Sequence, residues 1–217
     1  MSITVHHLAN SRSFRILWML EELGLPYTLT HHARDPKTMR APRELRASHP
    51  LGRAPQVEVD GRVLAESGAV LEYFVEREGA LRPTDPDALV EYRFFLHYAE
   101  GSVMAPLLLK LVMSKLREVP FFLRPLTEAI ASKVDASFTD PEIANHFRFI
   151  DQTLGGREFF AGSAFSAADI QMVYPVQAGL SRGSGSYPNA AAWLARMRAR
   201  PAFIRALETG GSDLLPG

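Results

Sequence analysis

The stretch LGRAPQVEVDGRVLAESGAV, Leu51 to Val70, restricts what this chain can fold into more than any other part of it. Pro55 precedes the alternating apolar pair Val57 and Val59. A proline has no N–H for a ladder bond, so it can open such a strand but not sit inside it. Ala54, immediately before it, is held extended. If the Ala54-Pro55 bond is cis, the N–H and C=O of Ala54 face outward and can pair with an extended peptide as a short strand would. Asp60-Gly61 is suited to the two-residue hairpin turn whose central residues both need positive φ, and Val63 and Leu64 form the return strand. Ser67 stands before the apolar spacing Val70, Leu71, Phe74, so a helix begins there with free N–H groups and a positive dipole end, which attracts a carboxylate. Glu66 beside it offers a negative charge to an ammonium group. The plain reading is a hairpin followed by a capped helix. In this order the parts also form a cradle for a small peptide carrying both an amine and a carboxylate.

Composition removes several function classes. Lys plus Arg equals Asp plus Glu at 24 each, which leaves no net field to recruit nucleic acid or an acidic membrane. No apolar run approaches the ~20 residues of a membrane span, and the N-terminus lacks a basic and then apolar leader, so a cytoplasmic protein is expected. The chain has no cysteine, which excludes disulfides, thiolate metal sites and a protein-thiol nucleophile. Any thiol chemistry here must use a thiol brought by the ligand.

The organisation is bipartite. Residues 1–79 read as strand, helix, strand, irregular loop, strand, hairpin strand, helix. Ile3 and Val5 alternate with polar residues, and Ile16, Leu17, Leu20 and Leu23 then share a helical face that Gly24 and Pro26 terminate. Tyr27 to His31 alternates as a second strand, and the loop of residues 33–52 carries Pro36, Pro42 and Pro50, with room for one helical turn. Residues 80–86 are proline-rich and polar, as a linker is. From residue 87 to 217 only helical periodicity remains, beginning with a long helix over Asp87 to Leu111 that Gly101 and Pro106 are expected to kink. Further helices are expected near Pro120 to Asp135, Asp140 to Leu154, Ser166 to Leu180, Asn189 to Arg198 and Ala202 to Leu207. Ser166 and Asp169 form a capping box, with Phe165 and Ile170 as its hydrophobic staple, a folding device rather than chemistry.

A βαβαββα unit with a proline-opened strand and an Ala-Glu-Ser helix start, a linker, and an all-helical domain holding an S-x-x-D box together resemble the cytosolic glutathione S-transferases over essentially the whole chain. NSRSFRILWMLEELGLPY and SHPLGRAP look like a theta-related bacterial and fungal branch with a serine-type active site. The resemblance implies a thioredoxin-like domain followed by an all-α domain. It also implies glutathione as co-substrate with no resident cofactor, a small hydrophobic electrophile as second substrate, and a homodimer. Ala54 would pair with the cysteinyl part of glutathione beside a cis Pro55. Ser67 would take the γ-glutamyl carboxylate, Glu66 would face its amine, and Arg53 could reach the tripeptide backbone or its glycyl carboxylate.

A hydroxyl donating to sulfur favours the thiolate form of glutathione, and it should sit after the first strand near the start of the first helix. The chain lacks the tyrosine many classes place there. Ser11 is the first candidate, because Ser11-Arg12-Ser13-Phe14-Arg15 resembles the spacing of serine-type classes; Asn10 and Ser13 are alternatives, and a shifted alignment would bring in His7. Ser11 and Ser13 can equally be helix caps.

Other residues receive plain readings. His6-His7 and His31-His32 are strand neighbours that point to opposite faces, so no metal site is expected. Arg196, Arg198 and Arg200 are expected on a solvated face. Tyr98, Met104 and Leu108 lie on the helix that in this family faces the second substrate, although their spacing alone suits a core. A glutathione-dependent peroxidase and a non-enzymatic binding module on the same scaffold are the competing functions. Exchange through a protein cysteine is excluded.

Overall fold

The computed structural model describes residues 2–211. Four strands, β1 (Ile3–Leu8), β2 (Thr28–His32), β3 (Gln56–Val59) and β4 (Arg62–Ala65), form one mixed sheet in the order β2-β1-β3-β4. β1 and β2 are parallel, and the other two pairings are antiparallel. Val5 lies opposite both Leu29 and Val57 in the register. Val5, Val57 and Val59 are all buried, so the period-two pattern puts its apolar face inward. The β3–β4 turn has Asp60 at φ 49° and Gly61 at φ 83°, as the expected hairpin requires.

Helix α1 (Ser13–Leu23) connects β1 to β2, and α3 (Ser67–Glu78) follows β4. Between β2 and β3 the chain has one short helix, α2 (Leu45–Ser48), inside a long loop. Every α1 residue from Ser13 to Leu20 is buried, because this helix is covered by the sheet on one side and by the helical half on the other. Gly24 ends it in a left-handed conformation at φ 63°. This βαβαββα arrangement is the thioredoxin-like fold that the sequence implies.

The remainder is helical. α4 (Pro86–Tyr98) starts at Asp85, whose carboxylate accepts the Ala88 N–H at 2.8 Å. It continues through a π-helical turn, Ala99–Val103, directly into α5 (Met104–Lys115). α6 (Arg124–Val134) likewise runs through a π turn, Asp135–Thr139, into α7 (Asp140–Gly155). Two long, widened helices therefore replace the kinked helix and the separate pair expected from sequence. Each π turn lies just ahead of a proline, Pro106 or Pro141, whose ring would otherwise crowd the carbonyl four residues back.

α8 (Ala167–Arg182), α9 (Pro188–Arg198) and α10 (Pro201–Gly210) complete the chain, and α8 is buried along most of its length. The Asp169 carboxylate at its start accepts the N–H groups of Phe160 and Ser166 at 3.0 Å each, the Ser166 hydroxyl at 3.1 Å and the Trp193 indole N–H at 3.3 Å. The expected capping box is thus a wider knot that ties α9 to α8. Arg200 departs from its expected solvated face: its guanidinium stacks 3.8 Å over the Phe165 ring and makes two bonds to Glu22, at 2.6 and 2.9 Å. Among the described residues no helix is long and apolar enough to cross a membrane.

Candidate active site

A cleft opens where the carboxyl end of β1, the loop after it, the α2 loop and the start of α3 meet the helical half. It has a narrow lobe of about 180 Å³ and a wider one of about 670 Å³, which share Arg12, Leu51, Arg53 and Ala54 as walls.

The narrow lobe holds the segment the sequence singles out. The Ala54-Pro55 bond is cis, and Ala54 and Pro55 line the lobe together with Glu66 and Ser67. Glu66 takes φ 70° and ψ 119°, a conformation that strains a residue with a side chain and that clusters at functional sites. No side chain caps α3, so its first N–H groups remain available beside the lobe. The buried guanidinium of Arg15 donates to the Ser67 oxygen at 3.1 Å. With that lone pair engaged, the Ser67 hydroxyl proton is free to donate to an anion.

Arg15 is itself held across the two halves of the molecule. Its Nη1 lies 2.7 Å from Glu100 and its Nη2 donates to the Gln171 carbonyl at 2.6 Å. Arg12 pairs with the same Glu100 at 2.8 Å, and both guanidiniums stand over the Tyr174 ring, at 5.1 and 5.4 Å. Burial alone would raise the Glu100 pKa, but Arg15 and Arg12 overcome it and hold the carboxyl below its ordinary value. Glu100 reaches the cleft because it lies in the π turn, and such turns recur at functional sites.

The loop after β1 carries the candidate hydroxyls. Asn10, at φ 53°, and Ser11 line the wider lobe, whereas Ser13 is fully buried. His7 is also buried, and its Nε2 must donate to the Gly210 carbonyl, 3.1 Å away, because a carbonyl can only accept. Burial and the neighbouring His31 lower the His7 pKa to about 4, so the ring is neutral and its Nδ1 is an acceptor. The Ser13 hydroxyl, 3.0 Å from that nitrogen, donates to it, and its oxygen accepts the Leu8 N–H at 3.1 Å. Ser11 Oγ accepts the Ser13 N–H at 3.2 Å and lies 2.8 Å from Ser13 Oγ. Ser13 and His7 therefore form a buried support, and Ser11 is the serine that presents its hydroxyl to the cleft. It does so at the start of α1, where its oxygen also takes the first N–H of the helix.

Of the residues singled out from sequence, Asn10, Ser11, Arg53, Ala54, Pro55, Glu66 and Ser67 come together on this cleft, and Ser13 and His7 lie behind it. Tyr98 faces elsewhere, bonded to His146 Nδ1 at 2.6 Å within an aromatic cluster, and neither Met104 nor Leu108 lines the two lobes. Sequence reasoning missed Arg12, Arg15, Glu100 and Tyr174. An arginine inside the most apolar run of α1 and a glutamate beside a mid-helix glycine were the available signals.

Two family models match the chain, the glutathione S-transferase N-terminal domain over residues 11–77 and the C-terminal domain over residues 113–201. Glutathione S-transferase 1 of Saccharomyces cerevisiae is 32% identical, the match covering 95% of this chain and 94% of that protein. Glutathione S-transferase 3 of Schizosaccharomyces pombe is 34% identical, with 95% and 87% covered. The crystal structure of a glutathione S-transferase from Actinobacillus pleuropneumoniae superposes with a TM-score of 0.82 at 31% identity over 98% of this chain and 94% of that one. A theta-class enzyme from Xanthomonas axonopodis, solved with glutathione bound, shares the fold at a TM-score of 0.74, with 22% identity over 98% of this chain and 99% of that one. Matched nearly end to end by these fungal and bacterial proteins, and built from both of the family's halves, the chain belongs to the glutathione S-transferase family.

Proposed function

We propose that this chain is a glutathione transferase that binds glutathione along the narrow lobe and activates its thiol for attack on a small electrophile with an apolar body. The observation that carries the reading is the convergence on one cleft of an uncapped helix start with Ser67, a carboxylate at Glu66, the backbone of Ala54 and the Ser11 hydroxyl. The γ-glutamyl carboxylate takes the Ser67 hydroxyl and the α3 N–H groups, its ammonium faces Glu66, and the cysteinyl unit lies along Ala54. The sulfur then points toward Ser11. A hydroxyl donating to sulfur favours the thiolate, and the start of α1 adds its dipole. Ser11 is suited to this because the Ser13 N–H fixes its oxygen, and its hydroxyl proton, given to Ser13 Oγ 2.8 Å away without a ligand, can turn to the sulfur when glutathione binds.

The electrophile enters the wider lobe against Tyr174, Met39 and Leu51. The thiolate forms the C–S bond as the leaving group departs with its electron pair, and the thiol proton passes to solvent. Rate comes from a lowered thiol pKa and from juxtaposition of the two reactants. The protein works as a cytoplasmic homodimer and needs no resident cofactor.

The test is retention on immobilised glutathione together with conjugation of 1-chloro-2,4-dinitrobenzene. Specific elution by free glutathione and saturable turnover are expected. Failure to bind glutathione would sink the reading, and binding without turnover of either aryl halides or hydroperoxides would leave a binding module.

A further inference from the structure

α8 runs unbroken from Ala167 to Arg182 with Pro175 inside it. A proline at such a place has no N–H for the carbonyl four residues back, and its ring crowds that carbonyl. Ahead of Pro106 and Pro141 a π turn accommodates the proline, whereas α8 contains no π turn. The carbonyl that loses its helical donor is that of Gln171. A donor from outside the helix replaces it: Arg15 Nη2 bonds the Gln171 carbonyl at 2.6 Å.

Arg15 is fully buried and has few acceptors. Its Nη1 divides between Glu100 at 2.7 Å and Ser67 Oγ at 3.1 Å, and its Nε has no partner among the described residues. With one donor already unmet in the core, losing the acceptor of Nη2 would leave the guanidinium poorly held. Glu100 from the π turn and Gln171 from α8 thus fix it at two points, and that hold aims Nη1 at Ser67. The same turn of α8 touches the rest of the cradle. The Gln171 side chain lies against the first turn of α3, its Nε2 3.6 Å from where a Cβ on Gly68 would stand, and the Tyr174 ring lies 5.4 Å from the Arg15 guanidinium.

An interior proline costs a helix about 3 kcal/mol relative to alanine. An ordinary residue in its place would aim an N–H along the helix axis at the Gln171 carbonyl, which would turn toward that donor and away from Arg15. Resting on the transferase reading above, we infer that Pro175 is a positioning residue for glutathione: by withholding an N–H it reserves the Gln171 carbonyl for Arg15, and Arg15 so held keeps the Ser67 hydroxyl directed at the γ-glutamyl carboxylate. Pro175 is buried and lines neither lobe of the cleft, so it acts on the ligand only through Arg15.

The experiment measures the dissociation constant of glutathione by calorimetry for wild type, Pro175→Ala and Pro175→Val, each with and without Ser67→Ala. Both substitutions restore the N–H, but valine also keeps most of the proline's volume. Binding about fivefold weaker than wild type is expected in each, and the loss should fall on KM for glutathione, with kcat for 1-chloro-2,4-dinitrobenzene changed less than about twofold. With Ser67→Ala present, neither substitution should weaken binding further. Circular dichroism checks the fold, and valine, which leaves little cavity, decides the matter where alanine does not fold. Binding lost with alanine but recovered with valine would reveal a packing role and overturn the inference. So would a loss that multiplies with that of Ser67→Ala, or wild-type affinity in both variants; each of these leaves the transferase reading standing. A wild type that binds no glutathione overturns both.

Discussion

Ser11, Ser13 and His7 occupy one hydrogen-bonded row, but burial separates their tasks. Ser11→Ala is expected to lower kcat/KM about 10²-fold with little loss of stability, because a half-exposed hydroxyl that acts mainly on developing or resting negative charge is removed. Ser13→Ala should reverse this pattern. It strands the Leu8 N–H and His7 Nδ1 in the core and costs about 1–3 kcal/mol in urea unfolding. His7 adds a pH dependence. Its pKa falls from 6.5 in the unfolded chain to about 4 in the native one, so the unfolded state takes up the proton first on acidification. Its contribution is intact above pH 6.5 and is lost between 6.5 and 4, by up to about 3 kcal/mol. Burial raises the Asp169 pKa from 3.8 to about 6, which acts with the opposite sign over much of the same range. The His7 effect is therefore read as the difference in unfolding free energy between wild type and His7→Gln across pH 7 to 4.5. Parallel curves would refute it.

At the scale of elements, the π turn between α4 and α5 is what delivers Glu100 to Arg12 and Arg15. Arg15 has no other ion pair among the described residues, so Glu100→Gln leaves a fully buried guanidinium without its counter-charge. A loss of about 3 kcal/mol in denaturant unfolding is expected, together with a raised KM for glutathione as Arg15 releases Ser67. An unchanged midpoint would show that the carbonyl of Gln171 suffices. The packing of α8 on α7 supplies another check. A Cβ at Gly179 would lie 1.9 Å from the Phe147 ring, so Gly179→Ala is expected to cost at least about 1–3 kcal/mol without altering the cleft. The strands, α1, the hairpin and α3 were legible because each carries a short-range signal: alternation, a terminating glycine, a turn dipeptide, a free helix start. The run of α4 into α5 was legible as one long helix, but a kink at Gly101 and Pro106 was expected where the structure has a π turn, and α6 and α7 were expected apart; in both places the π turn absorbs the following proline and lets the helix continue.

Across the whole molecule, the cleft belongs to neither half alone. α1 is the shared wall, tied to the helical half by Arg15 and Glu100, by Arg200 on Glu22 and by Arg205 on Glu21. The glutathione cradle was legible because its parts lie within Leu51 to Val70. The polar partners that support it are 52, 85 and 156 residues apart in sequence, and no local pattern announces such pairings. Arg200 shows the same limit, since only the folded chain brings Phe165 and Glu22 beside it. The central claim is that this assembled cleft lowers the pKa of a bound thiol through Ser11. Its most direct test is titration of the thiolate absorbance of glutathione bound to wild type and to Ser11→Ala. The bound thiol should titrate at least about one unit below the ordinary thiol value near 8.5 in wild type, and return toward that value in the variant while glutathione stays bound. A wild-type thiol that titrates as it does free in solution, or a variant that keeps the full depression, would contradict the account.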